Sequence, residues 1–344
     1  MKHPVLGIDI GGANLKYASA CGTAASREFA MWLTPENLAN TLTEDLQSNF
    51  LNHDLKPGTL AVTMTGELAD CFLDRGIGVD HIVQQTCKAA KKLGISDVRF
   101  YGVDGRFHHA EHACQNPDLV AAANWHAMAN FIGREIAPNA LLIDIGSTTT
   151  DLIPIREHKV ATDSLTDYDR LCNSALVYVG CRRTPVCSLV KSLTYHGIPT
   201  PVMNELFATI DDAMLLLGHT PEDTNDCGTA DGKPRTRLLA ANRLARMIGL
   251  DRRSVSIQLA QPLAQQIITA AKQQIEEAIT RLGSYNTWVL SGHGESLISI
   301  PQEQPALRLA DQLGKEVARC GPAYAVARLQ VNQISVRAEP CDES

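Results

Sequence analysis

The chain has 344 residues, of which 44% are hydrophobic and 20% are charged, and it carries a formal net charge of −7. That length fits two domains of ordinary size, and the near-average composition excludes collagen, coiled coil and global disorder. The net negative charge excludes a global attraction to nucleic acid or anionic lipid, so an anionic ligand needs a local site.

Periodicity and turn residues predict an α/β chain in two halves. The first half contains a strand–turn–strand hairpin over 5–18, a helix to about Phe50, strands over 60–64 and 97–102, and helices over 79–93 and 117–135. The second half contains a hairpin over 141–155, strands near 159–162 and 175–180, and helices near 202–217, 236–249 and 254–282. A strand that enters a glycine turn follows over 287–295, then a helix over about 305–320 and a last helix or strand from Gly321. Ala137-Pro138-Asn139 marks the boundary. We therefore expect domains over 1–137 and 138–344, with the last helix able to pack back on the first.

The two hairpins repeat one pattern. VLGIDIGGANLKYA at 5–18 and LLIDIGSTTTDLIPI at 141–155 share an apolar residue, Ile-Asp-Ile-Gly, small polar residues and a second apolar run. A single Asp-x-Gly is also a common end to a strand, but two matched copies favour a ligand site. The repeat predicts paired α/β lobes with the cleft between them as the expected site.

The turns of both hairpins are suited to bind phosphate and a cation. Each pattern places an aspartate at the end of a buried strand, and the glycines that follow let backbone N–H groups approach an anion closely. Mg²⁺ keeps most of its water when it binds phosphate oxygens, so two or three carboxylates suffice as protein ligands. Lys16 adds a point charge that can reach the phosphates. The other residues are Asp9, Gly11 and Gly12 in the first hairpin and Asp144, Gly146, Ser147, Thr148 and Asp151 in the second.

A third glycine turn, Ser-Gly-His-Gly-Glu at 291–295, follows a predicted strand. Such a turn can bind an adenosine or a diphosphate, or it can simply carry the chain from one domain to the other. Gly292 and His293 are its candidate substrate-binding residues. The spacings of the Walker A and dinucleotide-binding GxGxxG motifs are absent from the chain, which disfavours those two kinds of nucleotide site.

Together the three turns resemble the phosphate-1, phosphate-2 and adenosine motifs of the acetate kinase, sugar kinase, Hsp70 and actin superfamily. That resemblance implies two RNase H-like (actin-like ATPase) lobes with mixed sheets around a central cleft. Within the superfamily the chain resembles the hydantoinase/oxoprolinase-related branch, and there the family of methanofuran-biosynthesis condensing enzymes. The motifs that carry the resemblance are GIDIGGANLK at 7–16, MTGELAD at 64–70, AAANWHAMA at 121–129, IDIGSTTTDLIPI at 143–155, LVYVGCRRTPV at 176–186 and TADG at 229–232.

The resemblance implies a transferase that joins an aminomethylfuran-methyl diphosphate to the phenol of γ-glutamyltyramine or a tyrosine-like analogue. An aryl ether forms and pyrophosphate leaves, with Mg²⁺ as cofactor, in methanofuran-type cofactor synthesis for tetrahydromethanopterin-linked C1 transfer. The alternatives within the superfamily are an ATP-dependent small-molecule kinase and a hydantoinase- or oxoprolinase-like amide hydrolase. The implied partners are small molecules, without nucleic acid or membrane, and a homodimer is compatible with the sequence.

The implied chemistry gives roles to three groups of residues. Asp9, Asp144 and Asp151 would hold Mg²⁺, with Asp144 also counted as catalytic. Diphosphate oxygens would be bound by Gly11, Gly12, Gly146, Ser147 and Thr148, together with Lys16 and one of Arg182 and Arg183. Only one of the two arginines is expected to reach the ligand, because adjacent residues of an extended segment point to opposite sides.

Other candidates carry open alternatives. Glu67 and Asp70 would accept the phenolic proton, or else cap the helix that starts nearby. Asn124 and Trp125 would contact the substrate, with a buried core tryptophan as the alternative. The carboxylates in the predicted loop over 220–235 would bind a second cation or are simply solvated; they are Asp223, Asp226 and Asp231.

The start of the chain and its cysteines favour a cytoplasmic location. The ten cysteines form no CxxC pair, and the apolar run 5–10 is shorter than the core of a secretory signal. No run approaches the roughly 18 apolar residues that a membrane helix needs. We therefore expect a reduced, cytoplasmic protein.

Overall fold

The computed structural model describes residues 4–53 and 57–338. It confirms the predicted α/β class, because the described residues form two mixed sheets of six strands each, a two-stranded ribbon and surrounding helices. Both Ile-Asp-Ile-Gly segments end a strand in the middle of a sheet.

The first sheet is built around the strand that carries Asp9. Its strands are β1 (Val5–Ile10), β2 (Asn14–Ser19), β3 (Ala24–Glu28), β4 (Thr59–Met64), β5 (Asp97–Tyr101) and β6 (Phe107–His108). In the order β3-β2-β1-β4-β5-β6, β2 runs antiparallel to β1 and β4 runs parallel to it. All residues of β1 and β4 are buried, as is typical of parallel strands covered on both faces.

The helices that follow these strands are α1 (Leu38–Asn49), α2 (Arg75–Lys92), α3 (Ala110–Gln115), α4 (Pro117–Val120) and α5 (Asn124–Glu135), with short 3₁₀ helices at Pro35–Asn37 and Leu51–His53. The first turn of α2 is capped by Asp74, whose carboxylate accepts a bond from Ile77 N at 2.9 Å. Lys91 and Lys92 lie in its last turn, where the helix dipole favours cations.

The prediction of one helix over 117–135 is wrong, because that segment is broken between α4 and α5. Ala122 lies at the break with φ 46°, in the left-handed region that a helix cannot contain. Its N–H donates to the Glu67 carboxylate at 3.0 Å, which stabilises the break. No glycine or proline marks the position, so the local sequence carried no signal of it.

The second sheet is built around the strand that carries Asp144. The remaining strands are β7 (Ala140–Ile145), β8 (Thr150–Arg156), β9 (Lys159–Val160), β10 (Leu176–Val177), β11 (Ser192–Tyr195), β12 (Ile198–Pro201), β13 (Trp288–Gly292) and β14 (Ala306–Arg308). The sheet has the order β10-β8-β7-β13-β14, with β9 paired to β8, whereas β11 and β12 form the separate ribbon.

The remaining helices are α6 (Asp167–Cys172), α7 (Val186–Leu189), α8 (Ile210–Leu216), α9 (Arg237–Met247), α10 (Ile257–Leu282), α11 (Leu309–Leu313), α12 (Lys315–Arg319) and α13 (Gly321–Ala338), with a 3₁₀ helix at Glu295–Leu297. The helix predicted over 202–217 is shorter, because a capping box of Thr209 and Asp212 starts it at Ile210. The helix predicted over 305–320 is instead a strand and two short helices.

The chain divides into two compact units. The first contains Met1–Leu142, Ile153–Asp169 and Leu307–Ser344, and the second contains Ile143–Leu152 and Arg170–Ala306. Residues 138–142 and 153–169, which follow the sequence-based boundary after residue 137, also belong to the first unit. In the first unit, α13 packs against β1, β4 and α5. Gly7 permits that packing, since a side chain there would collide with the Ala323 carbonyl. None of the described helices combines the length and apolar character that crossing a membrane requires.

Candidate functional site

The two Ile-Asp-Ile-Gly turns have the same backbone hydrogen bonds. In the first hairpin Gly11 N donates to Asn14 O at 2.9 Å, and in the second Gly146 N donates to Thr149 O at 2.9 Å. Each bond closes the turn directly after the strand that carries the aspartate. The repeat predicted from the sequence is therefore also a repeat of local structure.

A second pair of bonds extends the repeat. The Ile10 carbonyl accepts bonds from the first two N–H groups of the segment Thr-Gly-Glu at 65–67, at 2.9 and 3.0 Å. The Ile145 carbonyl accepts bonds from the first two N–H groups of His-Gly-Glu at 293–295, at 2.9 and 3.1 Å. The third glycine turn is thus the equivalent, in the second unit, of the turn that carries Glu67.

Asp9 is a buried carboxylate that lies beside the cationic side chain of Lys16. Its side chain is 3% exposed, and Lys16, directly opposite on β2, places Nζ 3.6 Å from Oδ2. Burial raises the pKa of Asp9, and the charge of Lys16 opposes that rise. The other oxygen, Oδ1, is buried without a hydrogen-bond partner among the described residues.

These surroundings fit a Mg²⁺ ligand. A buried carboxylate oxygen that lacks a donor is costly unless it meets a cation, and hard oxygen atoms are the ligands that Mg²⁺ prefers. Within the described part of the chain, no group of three or more His, Cys, Asp or Glu side chains is placed to hold a metal by itself. Mg²⁺ can complete such a site with water and substrate phosphate oxygens.

Asp144 lies at the end of β7 and is half-buried. Gly292, in the third glycine turn, has φ 87°, and a Cβ atom there would lie 2.8 Å from Asp144 Oδ1. The glycine therefore lets the turn approach the Asp144 carboxylate closely. His293, the next residue, is exposed.

Asp151 occupies, seven residues after Asp144, the position that Lys16 has after Asp9. Its carboxylate forms an ion pair with Arg170, whose side chain is 2% exposed. The second hairpin therefore carries two carboxylates, of which Asp151 is already paired with a buried cation.

The segment that follows β10 wraps around the turn at Ser147. Cys181 N donates to Gly146 O at 2.9 Å, and the N–H groups of Arg182 and Arg183 donate to Ser147 O at 3.0 and 2.8 Å. The sequence motif GCRRT is thus placed beside the predicted diphosphate-binding residues of the second hairpin, which also include the partly buried Thr148. In the first hairpin, a comparable bond joins Met31 N to Gly12 O at 2.9 Å.

Glu67 is fully buried, and its two carboxylate oxygens differ. Oε1 accepts the bond from Ala122 N, and Oε2 is buried without a hydrogen-bond partner among the described residues. Burial raises the pKa of Glu67 to about 7, although the backbone N–H groups of Glu67 and Ala122 and the charge of Arg75 lower it. A carboxyl group that titrates near neutral pH is suited to accept and release a proton.

The capping alternative for Glu67 and Asp70 is wrong, because Asp74 caps α2. Asp70 is exposed, unlike Glu67. Trp125 is 3% exposed and lies edge-on to His126 at 5.4 Å, so its ring belongs to the core. Asn124 starts α5, where its side-chain oxygen accepts a bond from Trp125 N at 2.8 Å.

The structure thus assembles two groups of predicted residues, each within its own unit. The first group is Asp9, Gly11, Gly12, Lys16 and Glu67; the second is Asp144, Gly146, Ser147, Thr148, Asp151, Arg182, Arg183, Gly292 and His293.

Sequence reasoning missed the partners of several charged residues. Arg170 lies in a segment without a motif, yet it pairs with Asp151. In the loop over 220–235, Asp226 pairs with Arg182 at 2.5 Å and Asp231 pairs with the buried Arg243 at 3.0 Å. These two carboxylates are therefore held by arginines, and no motif or spacing in the sequence indicated those partners.

A family model for hydantoinase/oxoprolinase matches residues 59–318 of the chain. In fold, the chain is similar to a nucleotide-free acetone carboxylase structure, with a TM-score of 0.50 and 10% identity, over 95% of this chain and 70% of that one. This likeness agrees with the two mixed-sheet units described above, and the chain has the actin-like ATPase type of α/β fold.

Two curated relatives carry the same name, (4-{4-[2-(gamma-L-glutamylamino)ethyl]phenoxymethyl}furan-2-yl)methanamine synthase. The protein from Methanocaldococcus jannaschii is 34% identical over 342 residues, which cover 97% of this chain and 99% of that protein. The protein from Methanococcus vannielii is 30% identical over 220 residues, which cover 61% of this chain and 98% of that protein. Because the family model covers more than half of the chain and the Methanocaldococcus jannaschii protein is 34% identical over 97% of it, the chain belongs to the hydantoinase/oxoprolinase family and, within it, to the furanylmethanamine synthases of methanofuran biosynthesis.

Proposed function

We propose that this chain is a transferase that condenses a furanylmethyl diphosphate with the phenol of γ-glutamyltyramine or a tyrosine-like analogue. The observation that carries the proposal is the 34% identity, over nearly the whole of both chains, with a synthase whose name describes a product that contains a phenoxymethyl-furan ether. Such an ether forms when a phenol oxygen bonds to the furanylmethyl carbon. The bond from that carbon to the diphosphate breaks, and pyrophosphate leaves with its electron pair.

The first unit supplies a proton acceptor for the phenol. The phenolic proton has a pKa near 10, so its transfer needs a nearby base. Glu67 is the candidate, because its Oε2 atom is buried without a partner among the described residues and its turn is bonded to the Asp9 hairpin. Asp70 is the alternative acceptor, and its carboxylate is exposed, unlike that of Glu67.

The hairpin turns are proposed to bind the diphosphate. The backbone N–H groups of Gly12, Ser147 and Thr148 and the charge of Lys16 would stabilise the negative charge that grows on the leaving group. Mg²⁺, when bound, would neutralise part of that charge. Its proposed ligands are Asp9 and Asp144. Asp151, which already pairs with Arg170, would orient the second hairpin or act as a third ligand.

The test is a reaction without nucleotide. The purified protein is incubated with furanylmethyl diphosphate, γ-glutamyltyramine and Mg²⁺, and pyrophosphate and the ether are quantified by a coupled assay and mass spectrometry. We expect equal amounts of both products and loss of turnover when the metal is chelated. Turnover that occurs only with ATP would overturn the proposal in favour of a kinase- or amide-hydrolase-like reaction.

A further inference from the structure

The adjacent arginines of the GCRRT motif have different surroundings. Arg182 places Nη2 2.5 Å from Asp226 Oδ2, and its side chain is 37% exposed. Nε and Nη1 of Arg182 have no hydrogen-bond partner among the described residues. Arg183 is exposed. One arginine is thus oriented by a carboxylate, with several donors left for a ligand.

Asp226 is itself held in place. Its Oδ1 atom accepts a bond from Gly228 N at 2.9 Å, and its carbonyl accepts a bond from Arg235 N at 2.9 Å. The guanidinium of Arg235 forms two bonds with the buried Asp211, at 2.5 and 2.6 Å. The loop that carries Asp226 is therefore anchored to α8 by a bidentate ion pair, which is the most directional form of this interaction.

The backbone of Arg182 is anchored as well. Its N–H donates to Ser147 O, and the turn over 180–184 is closed by Thr184, whose hydroxyl accepts a bond from Gly180 N at 2.9 Å. Gly180 contacts the backbone of Thr148 so closely that a side chain would not fit. Both partners of the ion pair are thus fixed relative to the Ser147–Thr148 turn.

We propose that Asp226 is a positioning residue that holds Arg182, and not Arg183, as the diphosphate-binding arginine of the second hairpin. This inference rests on the proposed function, because it names the residue that recognises the diphosphate of the donor substrate. An arginine held by one nitrogen loses less side-chain entropy when its other nitrogens bind phosphate. Nη2 carries two N–H groups, and Asp226 accepts from one of them; the other, together with its neighbour Nε or Nη1, can form the two parallel bonds that arginine makes with phosphate oxygens.

The test uses inorganic pyrophosphate, titrated calorimetrically into the full chain in Mg²⁺ buffer. We expect Arg182→Lys to weaken pyrophosphate binding by about tenfold and Asp226→Ala by about fivefold, because bidentate contact or its orientation is lost. Arg183→Lys should change the affinity by less than about twofold. Asp223→Ala is the matched control, since Asp223 also accepts a backbone N–H two residues on, from Asn225 at 2.9 Å, but does not pair with Arg182.

Steady-state kinetics separates positioning from a general structural effect. Asp226→Ala should raise the KM for the furanylmethyl diphosphate and leave the KM for the phenolic amine unchanged, and Asp226→Glu should restore part of the loss. Equal loss of pyrophosphate affinity in the two arginine variants, or tighter binding by Asp226→Ala, would overturn the inference. Because pyrophosphate binding needs no turnover, a protein that binds it through Arg182 yet forms no ether would refute the proposed function and leave this inference standing.

Discussion

The hairpins over 5–19 and 140–156 share a backbone but differ in what faces the aspartate. In the first hairpin Lys16 lies opposite Asp9, which is buried. In the second hairpin, Asp151 takes the position of Lys16 and forms an ion pair with Arg170, which lies outside the hairpin. The turn needs only the glycine and its closing hydrogen bond. The two hairpins therefore have the same backbone shape although their charged side chains differ. The difference teaches that a matched motif predicts the turn but not the electrostatics around it.

The largest expected effect on stability comes from removing Arg170, the cationic partner of Asp151 in the second hairpin. Arg170→Met leaves the Asp151 carboxylate without its buried partner, and breaking such a pair typically costs about 3–5 kcal/mol. We expect the free energy of unfolding to fall by that amount in urea titrations. Lys16→Met, which removes a partner that is 30% exposed and lies at 3.6 Å, should cost about 1 kcal/mol.

A double variant checks the cause. Arg170→Met combined with Asp151→Asn removes both charges and should recover part of the lost stability, because position 151 then carries no charge that needs a partner. Equal losses in the Arg170 and Lys16 variants would mean that the two hairpins have the same electrostatic design after all.

The second effect concerns Glu67 and its equivalent, Glu295. Because the pKa of Glu67 is about 7 in the folded chain and 4.5 in its reference state, the folded form binds more protons between those values. The contribution of protonated Glu67 to the free energy of unfolding is therefore complete below pH 4.5. It falls by about 3 kcal/mol as the pH rises through 7. Glu67→Gln should flatten this decline, measured as the free energy of unfolding at pH 5 and pH 8.

Glu295→Gln is the control, because it makes the same substitution at the equivalent position of the second unit, where the side chain is partly exposed. If Glu67 is also the base, kcat/KM of the wild type should fall below about pH 7, where the carboxylate becomes protonated. A flat profile across that range would exclude Glu67 as the proton acceptor.

The third effect is on turnover. Asp144→Asn should leave the fold intact, because the side chain is half-buried and the amide has the same shape, and should lower kcat by about tenfold or more. Circular dichroism checks the fold and the pyrophosphate assay checks the rate, with the exposed Asp223→Asn as the control. Unchanged turnover would remove Asp144 from the site.

The smallest effect tests the shared turn. A Cβ atom at Gly11 would lie 2.9 Å from Asn14 O, whereas one at Gly146 would lie 3.5 Å from Thr149 O. We therefore expect Gly11→Ala to lower stability by about 1–2 kcal/mol and Gly146→Ala by less than about 0.5 kcal/mol. Thermal unfolding of both variants measures the difference, and equal Tm values would show that the first turn can relax as easily as the second.

Much of this fold follows from local patterns in the sequence. The apolar runs before Asp9 and Asp144 predict buried strands, the glycines predict the turns, and the resemblance to the family supplies the actin-like fold. The Asp9–Lys16 neighbourhood also follows from local sequence, because a tight hairpin brings these two residues together across two strands.

The features that could not be predicted depend on contacts between distant segments. Ala122 adopts a left-handed conformation only because Glu67, 55 residues earlier, accepts its N–H. Arg170 and Asp226 find their partners through tertiary packing, and neither lies in a recognisable motif. Trp125 looks the same in the sequence whether it stacks on a ligand or fills the core, so only its burial decides.

The packing of α13 has a consequence for protein synthesis. Strand β1 lies near the start of the chain, but α13, which covers it, is translated some 300 residues later. Ribosomes add about 5–20 residues per second, so the first sheet waits many seconds for its last layer, whereas the residues of the second unit are all available earlier. During that interval the apolar face of β1 that α13 later covers stays open to solvent.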